Sequence, residues 1–266
     1  MIQSFAIYSL FGFFISVLGL ISWEKQRKRF YSFGSNFFLQ WEIILALILF
    51  GLLAGLRWNV GTDYMNYLKN YLAIQNYGYY IYELESGFYS LTLILAKSGF
   101  HFSFYFGFIA FLQISFVYLS FKNERYLYPF LGLVIIFAPH FLGWMDGMRQ
   151  MLVATIFLWS VKFIYNRNFI KFSIIIFSCY FIHRSSVFLL FFYFIPRFDM
   201  FNDRFITSLL VIFSLILGLN YSWFEYLSKL DYFINVVGYS GYSQNLKELV
   251  SDVALKNLVL EELLLS

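Results

Sequence analysis

Long apolar runs recur along this chain and restrict its fold more than any other feature. Runs of roughly 15 to 22 mostly apolar residues follow one another, and about 20 residues suffice to cross the hydrocarbon core of a bilayer as a helix. Only 13% of the residues are charged, against 61% hydrophobic, and a soluble domain carries about twice that charged fraction. The runs lack the two-residue alternation of membrane strands. The sequence therefore predicts an all-α fold, a polytopic bundle of transmembrane helices.

Eight spans are predicted, together with one short helix that does not cross. The run Phe88–Ala96 has only about nine residues, so we expect a re-entrant or interfacial helix packed against protein. The segment Phe172–Ile195 is read as two short spans that turn at His183, although one tilted helix of about 25 residues with His183 at mid-depth is an open alternative. The predicted spans are about Ile2–Ser22, Phe38–Leu56, Phe102–Phe121, Leu127–Leu142, Met151–Tyr165, Phe172–Ile182, Val187–Ile195 and Phe205–Tyr221.

Basic residues between the spans predict the orientation. They cluster in Lys25–Arg29, Lys122–Arg125 and Lys162–Lys171, and cytoplasmic loops carry an excess of Lys and Arg. This places the N-terminus and the segment Gly55–Gly87 outside. A full span at Phe88–Ala96 would instead move Lys162–Lys171 outside, against this bias. The first run lacks the basic flank and cleavage site of a signal peptide, so we expect it to be retained as a span.

Two regions are expected along the chain: a transmembrane domain over residues 1–223, with an external loop over 57–87, and a polar amphipathic C-terminal tail over 224–266. The sequence shows no Cys or His pair at metal-ligand spacing, no phosphate loop and no dinucleotide fingerprint. We therefore expect neither a metal nor another cofactor. The net charge of +4 is explained by the basic loops and gives no reason to expect nucleic acid as a partner.

The segment Gly55–Gly87 carries an amphipathic helix beside the membrane. Tyr64, Tyr67 and Tyr71 recur at helical spacing and share one face. Asp63 or Thr62 could cap this helix, since a short side-chain oxygen accepts a free backbone N–H there. The simplest interpretation is a helix along the bilayer surface with its phenol groups among the lipid headgroups. A buried charged patch at the membrane face is the sharper alternative.

Five ionisable residues from separate segments fall on the external face of the predicted topology: Arg57, Asp63, Glu85, Arg149 and His183. Charged groups at span ends are costly in lipid, so they usually face a bundle interior or a cavity. Each also has a simpler explanation: the arginines could extend to the headgroups, Asp63 could be a helix cap, Glu85 a solvated loop carboxylate, and His183 a hydrogen-bonded structural residue. Their convergence on one face indicates a site, either of an enzyme or of a transporter.

Four motifs follow one another along the chain. The stretch Gly55–Tyr64 with Tyr67 has the pattern R-x-x-x-G-x-D-Y-x-x-Y, and Glu85–Phe88 has the pattern E-x-G-[FY]. Arg149-Gln150 precedes a span, and His183–Ser185 has the pattern H-x-S. In this order and spacing the motifs resemble those of the EpsG-type family, membrane proteins of Wzy-like exopolysaccharide and O-antigen polymerisation. The resemblance covers about Leu53 to Val187. Relatives usually continue for several spans after the His motif, so a short variant or an inactive truncated remnant is expected.

The resemblance implies a glycosyltransferase of GT-C-like fold that joins repeat units carried on undecaprenyl diphosphate, for O-antigen, capsule or exopolysaccharide. It implies a multi-pass protein of the bacterial cytoplasmic membrane with an external active face, which contacts membrane lipids and forms complexes with other polysaccharide-assembly proteins. The competing class is a transporter of lipid-linked glycans, similar to a flippase. Span interiors almost free of charge favour chemistry at the surface over transport.

Roles for the site residues also follow from the resemblance. The departing diphosphate gathers negative charge, and the planar guanidinium groups of Arg57 and Arg149 are suited to bind it. Gln150, next to Arg149 in the sequence, is assigned to the same binding site. The acceptor hydroxyl needs a base, for which Asp63 and Glu85 rank above His183. Tyr64 and Tyr67 could present ring faces to the sugar.

Overall fold

The computed structural model describes residues 2–28, 40–137, 140–195 and 204–219. Within these residues the chain is helical and contains no strand, so the all-α prediction is confirmed. The α-helices of this part are α1 (Ile2–Lys28), α2 (Trp41–Gly55), α3 (Tyr64–Tyr77), α4 (Ser86–Lys97), α5 (Phe102–Ser120), α6 (Tyr128–Phe137), α7 (His140–Asp146), α8 (Met148–Tyr165), α9 (Phe169–Tyr180) and α10 (Arg204–Leu219). A short 3₁₀ turn covers Arg125–Leu127, and a longer 3₁₀ helix covers Arg184–Phe194.

Two helices of the described ranges are long and apolar enough to cross a membrane. They are Ala6–Lys28 within α1, and α5. α2, α9, α10 and the longer 3₁₀ helix are apolar but shorter. Within the predicted Leu127–Leu142 span the structure describes α6 and α7, and residues 138–139 lie outside the described residues. The helix predicted at Phe88–Ala96 is the 12-residue α4. The bundle of eight crossings remains a prediction.

The chain divides into two units, residues 1–193 and 194–266. In the first unit α1 packs on α6 and α2, α2 packs on α5, and α5 packs on α8. Tyr118 and Tyr128 lie at the centre of one apolar core, where the Tyr128 hydroxyl donates to the Tyr118 carbonyl at 2.6 Å. In the second unit the structure describes α10, whose side chains from Arg204 to Ile216 are mostly exposed. The predicted tail 224–266 lies outside the described residues.

One end of the first unit gathers polar contacts between the predicted cytoplasmic segments. The Lys25 ammonium lies 2.8 Å from the fully buried carboxylate of Glu42. The Arg125 guanidinium donates to Ser22 and Gln40. Phe116 of α5 and Trp159 of α8 lie in ring contact, and Lys162 at the end of α8 lies close enough to Lys122 for their like charges to interact. The three predicted cytoplasmic segments therefore meet, in their described parts, at the same end.

Three tyrosines of α3 face protein and not lipid headgroups. Tyr64, Tyr67 and Tyr71 are at most 5% exposed. The Tyr64 ring stacks on Phe106 at 4.7 Å, and the Tyr71 ring stacks on Tyr105 at 4.8 Å. The helix is amphipathic as predicted, but the prediction that its phenols lie among headgroups is wrong, because α5 offers aromatic partners that the local pattern does not reveal.

His183 lies at a turn between two antiparallel segments. α9 ends at Tyr180, and the 3₁₀ helix from Arg184 returns until the Tyr193 ring lies 4.9 Å from that of Phe169, at the start of α9. The hairpin interpretation is confirmed, and the single tilted helix is wrong.

Candidate functional site

Glu85 is the centre of a polar cluster that joins three separate segments. One carboxylate oxygen forms an ion pair with Arg149 in the first turn of α8. The other lies 3.1 Å from Nδ1 of His183 and accepts the backbone N–H of Arg184 at 3.4 Å. The side chains of Glu85, Arg149 and His183 are 11%, 25% and 9% exposed. This degree of burial argues against a solvated Glu85 carboxylate and against an Arg149 side chain that extends to the lipid headgroups.

The E-x-G spacing of this segment has a direct structural cause. The backbone N–H groups of Gly87 and Phe88, in the first turn of α4, donate to the Phe181 carbonyl at 2.8 and 3.2 Å. A Cβ at position 87 would lie 2.8 Å from that same carbonyl oxygen. Only glycine lets α4 approach the α9 turn this closely. The backbone at Gly87 and the side chain of Glu85 therefore dock on the same hairpin, which brings the carboxylate to His183.

The neighbours of Glu85 set its charge. Burial on its own raises the pKa of this carboxyl, but the hydrogen bond from His183 and the positive charge of Arg149 outweigh burial and lower the pKa from 4.5 to about 2. Glu85 is therefore ionised at any physiological pH. With both oxygens occupied, it is a weak proton acceptor.

Arg57 is a buried cation of a different kind. It is 7% exposed, and its Nε and Nη1 atoms have no hydrogen-bond partner in the described part of the chain. Its guanidinium lies 5.5 Å from the Tyr64 ring and 5.2 Å from the Phe106 ring, at cation–π distance. Burial lowers the pKa of Arg57 to about 10, so the side chain remains positively charged at neutral pH. Among the described residues, no carboxylate lies in hydrogen-bond contact with this charge.

A small cavity adjoins Arg57. Its volume is about 10 Å³, and it is also lined by Gln113, Trp144 and Met148. This space is close to that of a single water molecule. The Gln113 amide donates to the Met148 carbonyl at 3.0 Å and so ties α8 to α5 beside the cavity.

The loop before α3 is held by Asp146, a residue that the sequence analysis missed. Its carboxylate accepts the Asp63 backbone N–H at 2.6 Å and the Thr62 hydroxyl at 2.7 Å. Gly61 has a φ of +100° in this loop, and a Cβ there would lie 2.9 Å from Asp146. Asp63 occupies the N-cap position of α3, but its side chain makes no capping bond, so the predicted cap is wrong. A carboxylate 83 residues away satisfies the loop instead.

The Asp63 carboxylate itself is half-buried. No hydrogen bond or ion pair joins it to the described residues, which distinguishes it from Glu85 and Asp146. Its charge acts on Tyr67, whose pKa is raised, chiefly by burial. Asp63 thus lies near the cluster with its oxygens available.

The remaining predicted site residues separate into two groups. Tyr67 accepts a hydrogen bond from Arg149 Nε at 3.3 Å, and Tyr64 donates to the Arg57 carbonyl at 3.4 Å, so both tyrosines adjoin the predicted arginines. Gln150 is exposed, and no hydrogen bond joins it to the described part of the cluster.

Within the described part of the chain, the arrangement combines a buried cation without a counter-ion (Arg57), a cation paired with a carboxylate (Arg149), and a carboxylate whose oxygens accept no hydrogen bond (Asp63). Such groups can hold a dianionic leaving group and accept a proton. No group of three or more His, Cys, Asp or Glu side chains in the described ranges is arranged to hold a metal ion.

Comparison with known proteins gives one match. The family model described as the EpsG family matches residues 40–261, well over half of the chain and beyond the predicted limits of Leu53 and Val187. No curated protein and no solved structure is significantly similar to the chain.

Proposed function

This chain belongs to the EpsG family, and we propose that it is a membrane glycosyltransferase that polymerises oligosaccharide repeat units linked to undecaprenyl diphosphate. The product would be an O-antigen, a capsule or an exopolysaccharide. Family membership supports a role similar to that of a polysaccharide polymerase. The observation that carries the proposal is the cluster in which Arg149 and His183 meet Glu85. Close to Tyr64 and Tyr67 of this cluster lie Arg57 and Asp63, whose side chains form no ion pair with the described residues.

The protein would be a multi-pass component of the bacterial cytoplasmic membrane with its site on the external, periplasmic face. The polar contacts of Lys25 and Arg125 lie at one end of α1 and α5. The Glu85 cluster belongs to the opposite end, where α5 begins beside Trp58 and Tyr64. This polarity fits basic loops in the cytoplasm and a substrate presented outside.

In the proposed reaction, the acceptor hydroxyl oxygen attacks the anomeric carbon of the donor sugar. The bond between that carbon and the diphosphate oxygen breaks, and its electron pair leaves with the lipid diphosphate. Arg57 and Arg149 stabilise this growing negative charge through planar donor groups. The cavity beside Arg57 has a volume of about 10 Å³, so access of the diphosphate to this residue requires the wall of the cavity to open.

Asp63 is the residue we propose as the base that takes the acceptor proton. It has no hydrogen-bond donor among the described residues, whereas Glu85 has both oxygens occupied and a pKa lowered to about 2. The role of Glu85 is then to position Arg149 and His183. A half-buried carboxylate with unoccupied oxygens can approach a hydroxyl, as general-base catalysis requires.

The test is polymer formation by the purified full chain in proteoliposomes supplied with lipid-linked repeat units. Asp63→Asn should bind the lipid normally and lose about 10²- to 10⁴-fold in turnover, because the amide keeps the shape but not the basicity. Glu124→Gln, which changes an exposed carboxylate after the far end of α5, is the matched control and should polymerise normally. Full activity of Asp63→Asn with loss in His183→Gln would move the base to His183. Movement of the lipid across the membrane without any polymer from the wild type would refute the enzyme and favour a transporter.

A further inference from the structure

A groove opens beside the Glu85 cluster, between the first turn of α4 and the end of α9. Its volume is about 440 Å³, which is within the range of small-molecule sites. The residues that matter for its chemistry are Tyr80, Glu85, Ser86, Tyr89, Tyr180 and Arg184. Of these, the sequence-based assignment included only Glu85.

Three tyrosine rings line the walls of this groove: Tyr80, Tyr89 and Tyr180. Tyr80 and Tyr180 are 44% and 42% exposed, and Tyr80 meets Tyr89 edge to face at 5.3 Å. Asn70 fixes the segment that carries Tyr80, because its side chain accepts the backbone N–H groups of Ile81 and Tyr82 at 2.9 and 2.7 Å. The rings are therefore exposed but held by a rigid segment, and rigid tyrosines provide contact area at low entropic cost.

The charges of the groove are already paired. The Arg184 guanidinium lies 2.9 Å from Glu83, which is outside the groove. Glu85 forms an ion pair with Arg149, and its other oxygen lies 3.1 Å from Nδ1 of His183. The described lining thus offers hydrogen-bond donors and acceptors without an uncompensated cation. That chemistry suits a neutral polyhydroxylated ligand and not a phosphate, whereas buried Arg57 has the opposite character.

We propose that this groove binds the saccharide of the repeat unit, with a neutral sugar ring against Tyr180 and Tyr80. A pyranose has an apolar C–H face and a rim of hydroxyls, which match the flat face of tyrosine and the polar atoms of Ser86 and Arg184. The inference rests on the proposed function. Because Glu85 belongs both to the groove and to the arginine cluster, the groove orients the sugar with its diphosphate towards Arg149.

The test measures binding and needs no turnover. Fluorescently labelled oligosaccharides, released by mild acid from the polysaccharide of the producing strain, are titrated against the full chain in nanodiscs. Tyr180→Ala should weaken their Kd about tenfold, and Tyr180→Phe should retain wild-type affinity because the ring remains. Tyr126→Ala is the matched control, since Tyr126 is 51% exposed and lies at the opposite end of α5. Binding of inorganic pyrophosphate should be equal in all four proteins.

Equal oligosaccharide affinity in Tyr180→Ala and the wild type would overturn the proposal, as would equal weakening by Tyr126→Ala. Displacement of the oligosaccharide by short-chain phosphatidylglycerol would identify a lipid-headgroup site and would also overturn it. Failure of the proposed polymerase function would give different results from failure of the groove proposal. Oligosaccharide binding that depends on Tyr180, in a protein that never forms polymer, would uphold the groove and refute the polymerase. Unchanged polymer formation by Tyr180→Ala would refute the groove alone.

Discussion

Replacing Glu85 by Gln tests whether the ionised carboxylate holds the three segments together. The pKa of Glu85 is lowered from 4.5 to about 2 in the folded protein, a difference that corresponds to about 3 kcal/mol. Because the folded-state pKa is the lower one, this stabilisation is fully present above pH 4.5 and is lost as the pH falls towards 2. About 1 kcal/mol remains at pH 3 by the same relation. Gln does not titrate, so the stability difference between the wild type and Glu85→Gln should shrink by about 2 kcal/mol between pH 7 and pH 3.

The assay is thermal unfolding of the detergent-solubilised chain at both pH values. For a chain of this size, about 3 kcal/mol corresponds to roughly 6–12 °C in Tm, and about 1 kcal/mol to roughly 2–4 °C. Glu83→Gln is the control two residues away. Its ion pair with Arg184 joins side chains that are 73% and 42% exposed, and exposed pairs contribute about 0–1 kcal/mol. A Tm of Glu85→Gln equal to that of Glu83→Gln at pH 7, or a difference that does not change with pH, would refute this reasoning.

Three further predictions concern the arginines, the α4 contact and the orientation. Arg57→Lys and Arg149→Lys should insert normally and lose about 10- to 150-fold in polymerisation, because Lys keeps the charge without the planar fork; wild-type polymer lengths from both would indicate headgroup contacts alone. Gly87→Ala should destabilise the fold by about 1–3 kcal/mol, since its Cβ would meet the Phe181 carbonyl, while Ser90→Ala on the exposed face of α4 should be near neutral; equal Tm values for the two would contradict the contact. Cysteines at Gly61 and Asn166 should be labelled from opposite sides of the membrane, and labelling of both from one side would exclude the orientation.

The sequence predicted the positions of the helices better than it predicted the contacts between them. Apolar runs and 3.6-residue spacing depend on local order, so the positions of α2, α3, α5 and α8 follow from the pattern. The direction in which the tyrosines of α3 point depends on what α5 places beside them, and the same pattern fits a headgroup layer or an aromatic core. The prediction at α3 failed at that step.

Long-range contacts account for the rest of what was missed. Asp146 lies 83 residues from the loop that it satisfies, and its only local signal is an acid three residues before Arg149. The predicted topology placed Arg149, His183 and Glu85 on the same face of the membrane. It could not predict that Arg149 and His183 both contact Glu85, because a topology specifies the end of the bundle at which a residue lies but not the residues that it contacts. The resemblance drew attention to these residues because each belonged to a matching motif, whereas Gln113 and Asp146 belong to none.

The two arginines proposed to hold the diphosphate start from different electrostatic states. Arg149 already has Glu85 as its counter-ion, so a ground-state diphosphate must compete with a carboxylate in direct contact. Arg57 is a buried cation whose Nε and Nη1 atoms have no acceptor in the described part of the chain, and an anion there would relieve the cost of its burial. In the proposed function, Arg57 would thus supply the ground-state binding of the lipid diphosphate. Arg149 gains only when the leaving oxygen carries enough charge to draw it from Glu85, and an interaction that strengthens in the transition state acts on kcat and not on KM.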